Sequence, residues 1–216
     1  MLFPDALSTH PITLPDGTRH GGTVHLNRVL RNPNFVVGDY TYASDFDPPT
    51  DPADFAGRLA PYLFPGSREI LRIGRYCQIA HGVRFITASA NHAVDGVTTY
   101  PFPVFDPAEM MNFRPDTRDT VIGHDVWLGY GALVMPGARI GNGVIVGAGS
   151  VVRGTIPDYA IVTGNPATVL RLRFPSDEID ILNRLAWWDW SADQVAAARS
   201  ALMASDLSAL EAFVAG

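Results

Sequence analysis

Residues 122–157 read IGHDVW LGYGAL VMPGAR IGNGVI VGAGSV VRGTIP, and written in sixes the stretch aligns with itself. Its first column is Ile122, Leu128, Val134, Ile140, Val146 and Val152. The second column is Gly123, Gly129, Gly141 and Gly147, interrupted by Met135 and Arg153. The fifth holds Val126, Ala132, Ala138, Val144, Ser150 and Ile156, mostly small. A helix repeats at about 3.6 residues and a simple strand at about 2, so a sixfold cell is neither. It describes a triangular β-solenoid: each six makes a short strand and a corner, three sixes close a coil, and coils stack at about 4.8 Å. The first-column residue then points inward onto its equivalent one coil away. The fifth-column residue fits the tight interior beside a corner, and glycine is expected to supply the backbone freedom that corners require.

The same pattern extends outward. Ile73-Gly74, Ile79-Ala80 and Phe85-Ile86 form another coil, and an isolated cell opens at Val37-Gly38. Two excursions interrupt it, at 43–69 and 87–120. The first is rich in Asp and Pro and carries Tyr62 and Phe64. The second runs through Asn91-His92, Asp95-Gly96, Tyr100 to Phe105 and Met110-Met111 to Phe113. It is too aromatic for a disordered linker, and a long irregular segment in a compact domain is usually functional. Pro175 to Glu178 predicts a helix start with Ile179, Leu182 and Leu185 on one face, and Ser191 with Gln194 has capping-box spacing. A third helix is expected from Ser205-Asp206. The expected organisation is a solenoid domain over 1–174 and a helical extension over 175–216, with Trp187, Trp188 and Trp190 packing the helices on the end of the solenoid or, alternatively, touching a ligand.

Composition narrows the chemistry. All 16 basic side chains are arginine and Cys77 is the only cysteine. A lysine Schiff base, a P-loop lysine, a disulfide within the chain and a cysteine-rich zinc site are therefore excluded. Cys77 stands four after Ile73, the small inward position, and reads as a buried inert thiol. A net charge of −6 argues against nucleic acid as a partner. No stretch approaches the apolar length of a membrane span, and Met-Leu-Phe-Pro-Asp at the N-terminus lacks the features of a signal peptide, so a cytoplasmic protein is expected.

Taken together, Val37 to Tyr42, Ile73 to Cys77, Asn91-His92 with Asp95-Gly96, Thr99 to Phe102, Ile122 to Gly129, Gly164 to Ala167 and Trp187 to Trp190 resemble the hexapeptide-repeat acyltransferases. Within that group the chain is most similar to the xenobiotic acetyltransferases, which include type B chloramphenicol and streptogramin A enzymes. The resemblance covers roughly residues 30 to 200 and rests most specifically on the histidine loop and the paired tryptophans. It implies a mainly β protein, a left-handed parallel β-helix, assembled as a homotrimer with sites between chains. It also implies direct acetyl transfer from acetyl-CoA to an acceptor hydroxyl without a metal, and antibiotic resistance as a biological setting.

By position, His92 matches the family's catalytic base; an imidazole can take the proton of an attacking alcohol near neutral pH. Either Asp95 or a backbone carbonyl could orient it. Tyr42 matches an acceptor-lining tyrosine, with Asn91, Phe102 and Phe105 as further acceptor contacts or, for the two phenylalanines, as a small core of the loop itself. Where relatives carry a tyrosine in the first excursion this chain has Phe64, and 43–69 is not a close match. Trp127, Tyr130 and Ala148 match positions that contact CoA. A lysine that often follows in relatives is replaced by Arg153, leaving Arg153, Arg171 and Arg173 to meet the phosphates; Arg171 and Arg173 read equally as a solvated strand edge.

Other classes fit less well. A γ-carbonic anhydrase uses the same solenoid with three zinc histidines, but the repeats here offer only His81, His92 and His124, without the five-residue ligand spacing. A non-catalytic trimeric scaffold needs no aromatic histidine loop. An O-acetyltransferase for a sugar or other endogenous metabolite would need more hydrogen-bonding residues than Tyr100 to Phe105 provide.

Overall fold

The computed structural model describes residues 5–110, 112–113 and 116–215. Met111 of the second excursion lies outside the described residues. Short parallel strands stack into three sheets along one axis. The first sheet contains Phe35–Val37, Leu71–Ile73, Thr120–Ile122, Arg139–Ile140 and Thr155–Ile156; the second contains Tyr42–Ser44, Gln78–Ile79, Trp127–Leu128, Ile145–Val146 and Ala160–Gly164. The third is Arg84–Phe85, Leu133–Val134 and Val151–Val152.

Register follows the sixfold columns. Val37 pairs with Ile73, Ile73 with Ile122 and Ile122 with Ile140; Ile79 pairs with Leu128 and Leu128 with Val146; Phe85 pairs with Val134 and Val134 with Val152. Every first-column residue of 122–157 is buried, and so are Val126, Ala132, Ala138, Val144 and Ser150. One cell departs from the reading. Ile156, expected in the small fifth column, pairs with Ile140 and so takes the large inward slot. The last coil is thus cut short by two residues, which closes the barrel on a bulky isoleucine.

The glycine column also has a different cause from the one expected. A Cβ on Gly74 would lie 2.4 Å from the carbonyl oxygen of Gly123 in the next coil. The second-column glycines therefore permit close approach of backbones. Positive φ falls elsewhere, at glycines such as Gly131 (φ 64°) and, at the corner joining the first and second sheets, at Tyr40, Tyr76, Asp125 and Tyr159.

That first corner also carries a side-chain ladder. The backbone N–H of Arg75 donates to His124 Nδ1 (3.0 Å), that of His124 to Asn142 Oδ1 (2.9 Å) and that of Asn142 to Asp158 Oδ1 (2.6 Å). Asn183 Nδ2 of the helix Ser176–Leu185 donates to the other oxygen of Asp158. Each coil is thus capped by a side chain from the next.

Both ends of the second sheet are closed by antiparallel strands, Thr23–His25 against Tyr42–Ser44 and Ala167–Leu172 against Ala160–Gly164. Unpaired strand edges would otherwise invite association. The first excursion forms a helix, Phe55–Leu59, whose Phe55 and Leu59 bury in the solenoid core. Three helices follow the solenoid: Ser176–Leu185, Ala192–Ala204 with the Ser191–Gln194 capping box, and Leu207–Ala215. Trp188 stacks on His124 at 5.2 Å and 7°, and Trp187 lies 4.7 Å from the ring of Tyr76. No helix among the described residues is long and apolar enough to cross a membrane.

Gly74→Ala should cost about 1–3 kcal/mol, the usual penalty of overpacking. Gly21→Ala, where a Cβ meets nothing within 4 Å, should stay within about 0.5 kcal/mol of the parent in urea titration.

Candidate functional site

The second excursion leaves the third sheet after Phe85, and its root is tied down by groups with no sequence signature. The backbone N–H of Ser89 donates to Glu69 Oε1 (2.7 Å), and Ser67 Oγ and Ser89 Oγ share a hydrogen bond (3.0 Å). Glu69 is only 2% exposed. A lone acid before an apolar strand belongs to no pattern, which is why sequence reasoning passes over it. A turn at Ala88–Ala90 then presents Asn91, half-buried, and His92, exposed.

The orientation of His92 is specific. Its Nδ1 lies 2.9 Å from the carbonyl oxygen of Thr99, which can only accept, so Nδ1 carries the proton and Nε2 presents a lone pair. Of the two expected orienting groups the backbone carbonyl occupies Nδ1, while Asp95 is exposed. Downstream, the Tyr100 ring stacks on Phe105 (5.2 Å, 14°) and tilts against Phe102 (4.6 Å). Phe102 and Phe105 nevertheless stay 64% and 67% exposed, so this cluster is a bare apolar surface more than a core.

Tyr42 lies elsewhere, on the outer face of the second sheet. It lines a groove of about 840 Å³ between the solenoid and the C-terminal helices, together with Tyr40, Tyr76, Gln78, Phe174 and Trp187. Burial raises the phenol pKa of Tyr42 and pushes that of Tyr76 up to about 12, so both hydroxyls stay neutral. Asp125, also in the groove, has its carboxyl raised by burial, opposed by nearby Arg173.

Outward residues of the second sheet fall in one row: Tyr42, Gln78, Trp127, Ile145, Ile161 and Arg171. Trp127 is half exposed and Arg171 exposed. Tyr130 and Ala148, both exposed, stack at the second corner, beyond this sheet. Arg153 is exposed past the third sheet, and so stands apart from the row. Arg173 turns inward to the first corner, where its Nη1 donates to the Gly143 carbonyl (2.6 Å), approaches Asp125 (3.7 Å) and covers the rings of Tyr159 and Phe174. The three arginines do not converge.

Nor does one chain bring the base to the acceptor tyrosine. His92 stems from the far end of the third sheet and does not line the groove beside Tyr42. The three histidines weighed as zinc ligands are likewise apart. His81 pairs with Asp45, His92 with Thr99, and His124 spends Nδ1 on Arg75. Among the described residues no group of three or more ligating side chains could hold a metal ion. Cys77 is fully buried, and burial pushes its thiol up to about 12.

Comparison with known proteins bears on this arrangement. The family model described as "Bacterial transferase hexapeptide (six repeats)" matches residues 119–154. A chloramphenicol acetyltransferase of Klebsiella aerogenes is 36% identical over 197 residues, spanning 87% of this chain and 91% of that one. A probable macrolide acetyltransferase of Lysinibacillus sphaericus is 42% identical over 62% of this chain and 76% of its own. The virginiamycin A acetyltransferase of Staphylococcus aureus is 36% identical over 74% and 73% respectively.

Glu69→Ala frees Ser89 and should loosen the histidine loop, losing about 1.5–3 kcal/mol of loop anchoring. We expect faster amide exchange over 88–100 while the strands of 122–157 keep their protection. Native protein should also resist iodoacetamide at Cys77 at pH 8, with modification appearing only on unfolding.

Proposed function

The chain belongs to the hexapeptide-repeat acetyltransferases, left-handed β-helix enzymes, and from that premise we propose that it transfers acetyl from acetyl-CoA to a hydroxyl of a bulky, largely apolar acceptor. Chloramphenicol and streptogramin A are the acceptors that fit best, given its relatives. The observation that carries the reading is the fixed tautomer of His92, whose Nδ1–H is held by Thr99 and whose Nε2 is left as a base. His92 accepts the acceptor's hydroxyl proton as its oxygen attacks the thioester carbonyl. The tetrahedral adduct collapses with cleavage of the C–S bond, and the departing thiolate is protonated. Cys77, buried and protonated, leaves no cysteine nucleophile, so transfer is direct.

The acceptor's apolar body is assigned to the aromatic wall beside Tyr42, with Asn91, Phe102 and Phe105 closing over it. Donor contacts are assigned to Trp127, Tyr130 and Ala148, with Arg171 at the phosphate end of the outward row and Arg153 and Arg173 as subsidiary cations. Asp95, exposed on the same loop three residues from His92, is assigned a secondary, charge-stabilising role. The chemistry of these residues suits a flat base, an extended apolar arm and an anionic end.

Such a site is complete only between chains. His92 and the bare Tyr100–Phe102–Phe105 surface project from one corner, Tyr42 and Trp127 from another sheet, and a ring of three chains joins them. A homotrimer with three equivalent sites follows, in the cytoplasm where acetyl-CoA is made.

His92→Ala should lower thiol release by at least about a hundredfold with chloramphenicol as acceptor, without loss of CoA binding in calorimetry. Full activity in that variant sinks the mechanism. Screening chloramphenicol, a streptogramin A and simple sugars against each other decides the acceptor; preference for a sugar would replace the apolar assignment. Mixing equal amounts of unfolded His92→Ala and Tyr42→Ala chains and refolding them together should restore roughly a quarter of the wild-type sites, since each site draws on two chains. No recovery would place both residues within one chain's site.

A further inference from the structure

Outside the histidine loop, one imidazole is held as a reactive group is held. His81 Nδ1 lies 2.6 Å from Asp45 Oδ1, and Asp45 Oδ2 accepts from Arg58 Nη1 at 2.9 Å. The Asp45 side chain is only 6% exposed. Burial works against its charge, yet bonds from the Asp47 backbone, Arg58 and His81 outweigh it and hold its carboxyl below the ordinary range. The backbone N–H of Phe46 also points at His81 Nδ1 as a donor (3.2 Å), so Nδ1 is enclosed between the Asp45 carboxylate and this N–H, and Nε2 is the edge left to act. Two rings flank the imidazole, Phe46 at 5.1 Å and Tyr130 at 5.5 Å, and both are largely exposed. Nothing in the sixfold pattern calls for a histidine at this corner.

Its place in the solenoid suggests a use. His81 follows the strand Gln78–Ile79, and its carbonyl accepts from Gly131 N, one coil below. The Tyr130 carbonyl in turn accepts from Gly149 N. The second corner is therefore a column, His81 above Tyr130 above Ala148. On the outward row, Arg171 stands at one end, and Gln78 is four strand steps away, roughly 19 Å. Tyr42 pairs with Gln78 itself. A donor whose phosphates sit at Arg171 and whose thioester meets an acceptor at Tyr42 ends at the level of His81.

We propose that His81, clamped by Asp45, is a second catalytic imidazole that receives the sulfur end of the thioester and protonates the departing thiolate through Nε2. This rests on the acetyltransferase reading above. The balance is closed: His92 Nε2 takes the hydroxyl proton as the C–O bond forms, the C–S bond breaks, and its electron pair takes the proton from His81 Nε2. Solvent then takes the proton from His92 and returns one to His81 Nε2, and the Asp45 carboxylate faces the Nδ1 edge of His81 throughout. Arg58 shares that carboxylate, and the backbone N–H of Asp47 donates to its Oδ1 (2.8 Å).

His81→Phe preserves the ring ladder, and His81→Gln returns an N–H close to the Nε2 position. With acetyl-CoA and chloramphenicol, His81→Phe should lower kcat about tenfold or more with the KM for chloramphenicol unchanged, and His81→Gln should recover part of the loss. In calorimetry, His81→Phe should weaken CoA about fivefold and leave desulfo-CoA, which lacks the sulfur, unaffected. A kcat within twofold of wild type, or equal weakening of both ligands, overturns the assignment. The two readings fail separately. A wild-type protein that binds CoA but acetylates no acceptor refutes the function, while the comparison of CoA with desulfo-CoA still decides where the sulfur lies.

Discussion

Closure of one coil on the next at strand-pairing distance is the constraint from which the rest of the molecule follows. It is tightest at the corner after Ile73 and Ile122, where the backbones of Gly74 and Gly123 meet with no room for a side-chain carbon. The residue after each glycine then lies within reach of the coil above, and His124, Asn142 and Asp158 use that proximity to accept its backbone N–H. Burial lowers the pKa of His124, which keeps the imidazole neutral and suited to accepting. The ladder ends on Asn183, so the helical tail is an extension of the same bonding and is held by aromatic stacking beside it.

A solenoid with so strict an interior has its freedom outside. Inward positions admit only residues that stack on themselves, whereas a corner can be opened and a loop of any length thrown from it at modest entropic cost. Both excursions exploit this. One folds back and plugs the core with Phe55 and Leu59, while the other carries His92 and an uncovered aromatic surface away from it. Rigid coils beneath fix where the loop begins, and Glu69 fixes how it leaves.

Periodicity made the interior legible, because each inward slot repeats the same demand and a single sequence contains many copies of it. Register, coil length and buried small residues were all readable from 122–157. The shortened last coil was not, since Ile156 satisfies the small column and the large one alike and only pairing with Ile140 separates them. Glycine was legible as a column but not as a cause; close approach and positive φ leave the same letter. His92 was readable through family resemblance and not by spacing. The groups that hold it, Thr99 and Glu69, act through a carbonyl and a lone carboxylate that no pattern marks. Asp45 and His81 are 36 residues apart and meet only because strand Tyr42–Ser44 pairs with Gln78–Ile79.

The antiparallel strands at the two ends of the second sheet have a consequence for how this protein can change. They stop the stack, so the row from Tyr42 to Arg171 has a fixed number of rungs. On the proposed reading that row is a ruler laid against the donor, with its anionic end at one mark and its thioester at the other. Adding or deleting a whole coil would leave the hydrophobic interior content, yet it would move one mark by about 4.8 Å and put the thioester out of reach of the acceptor. Selection on the length of a small molecule, and not on stability, would then set how many turns this helix has.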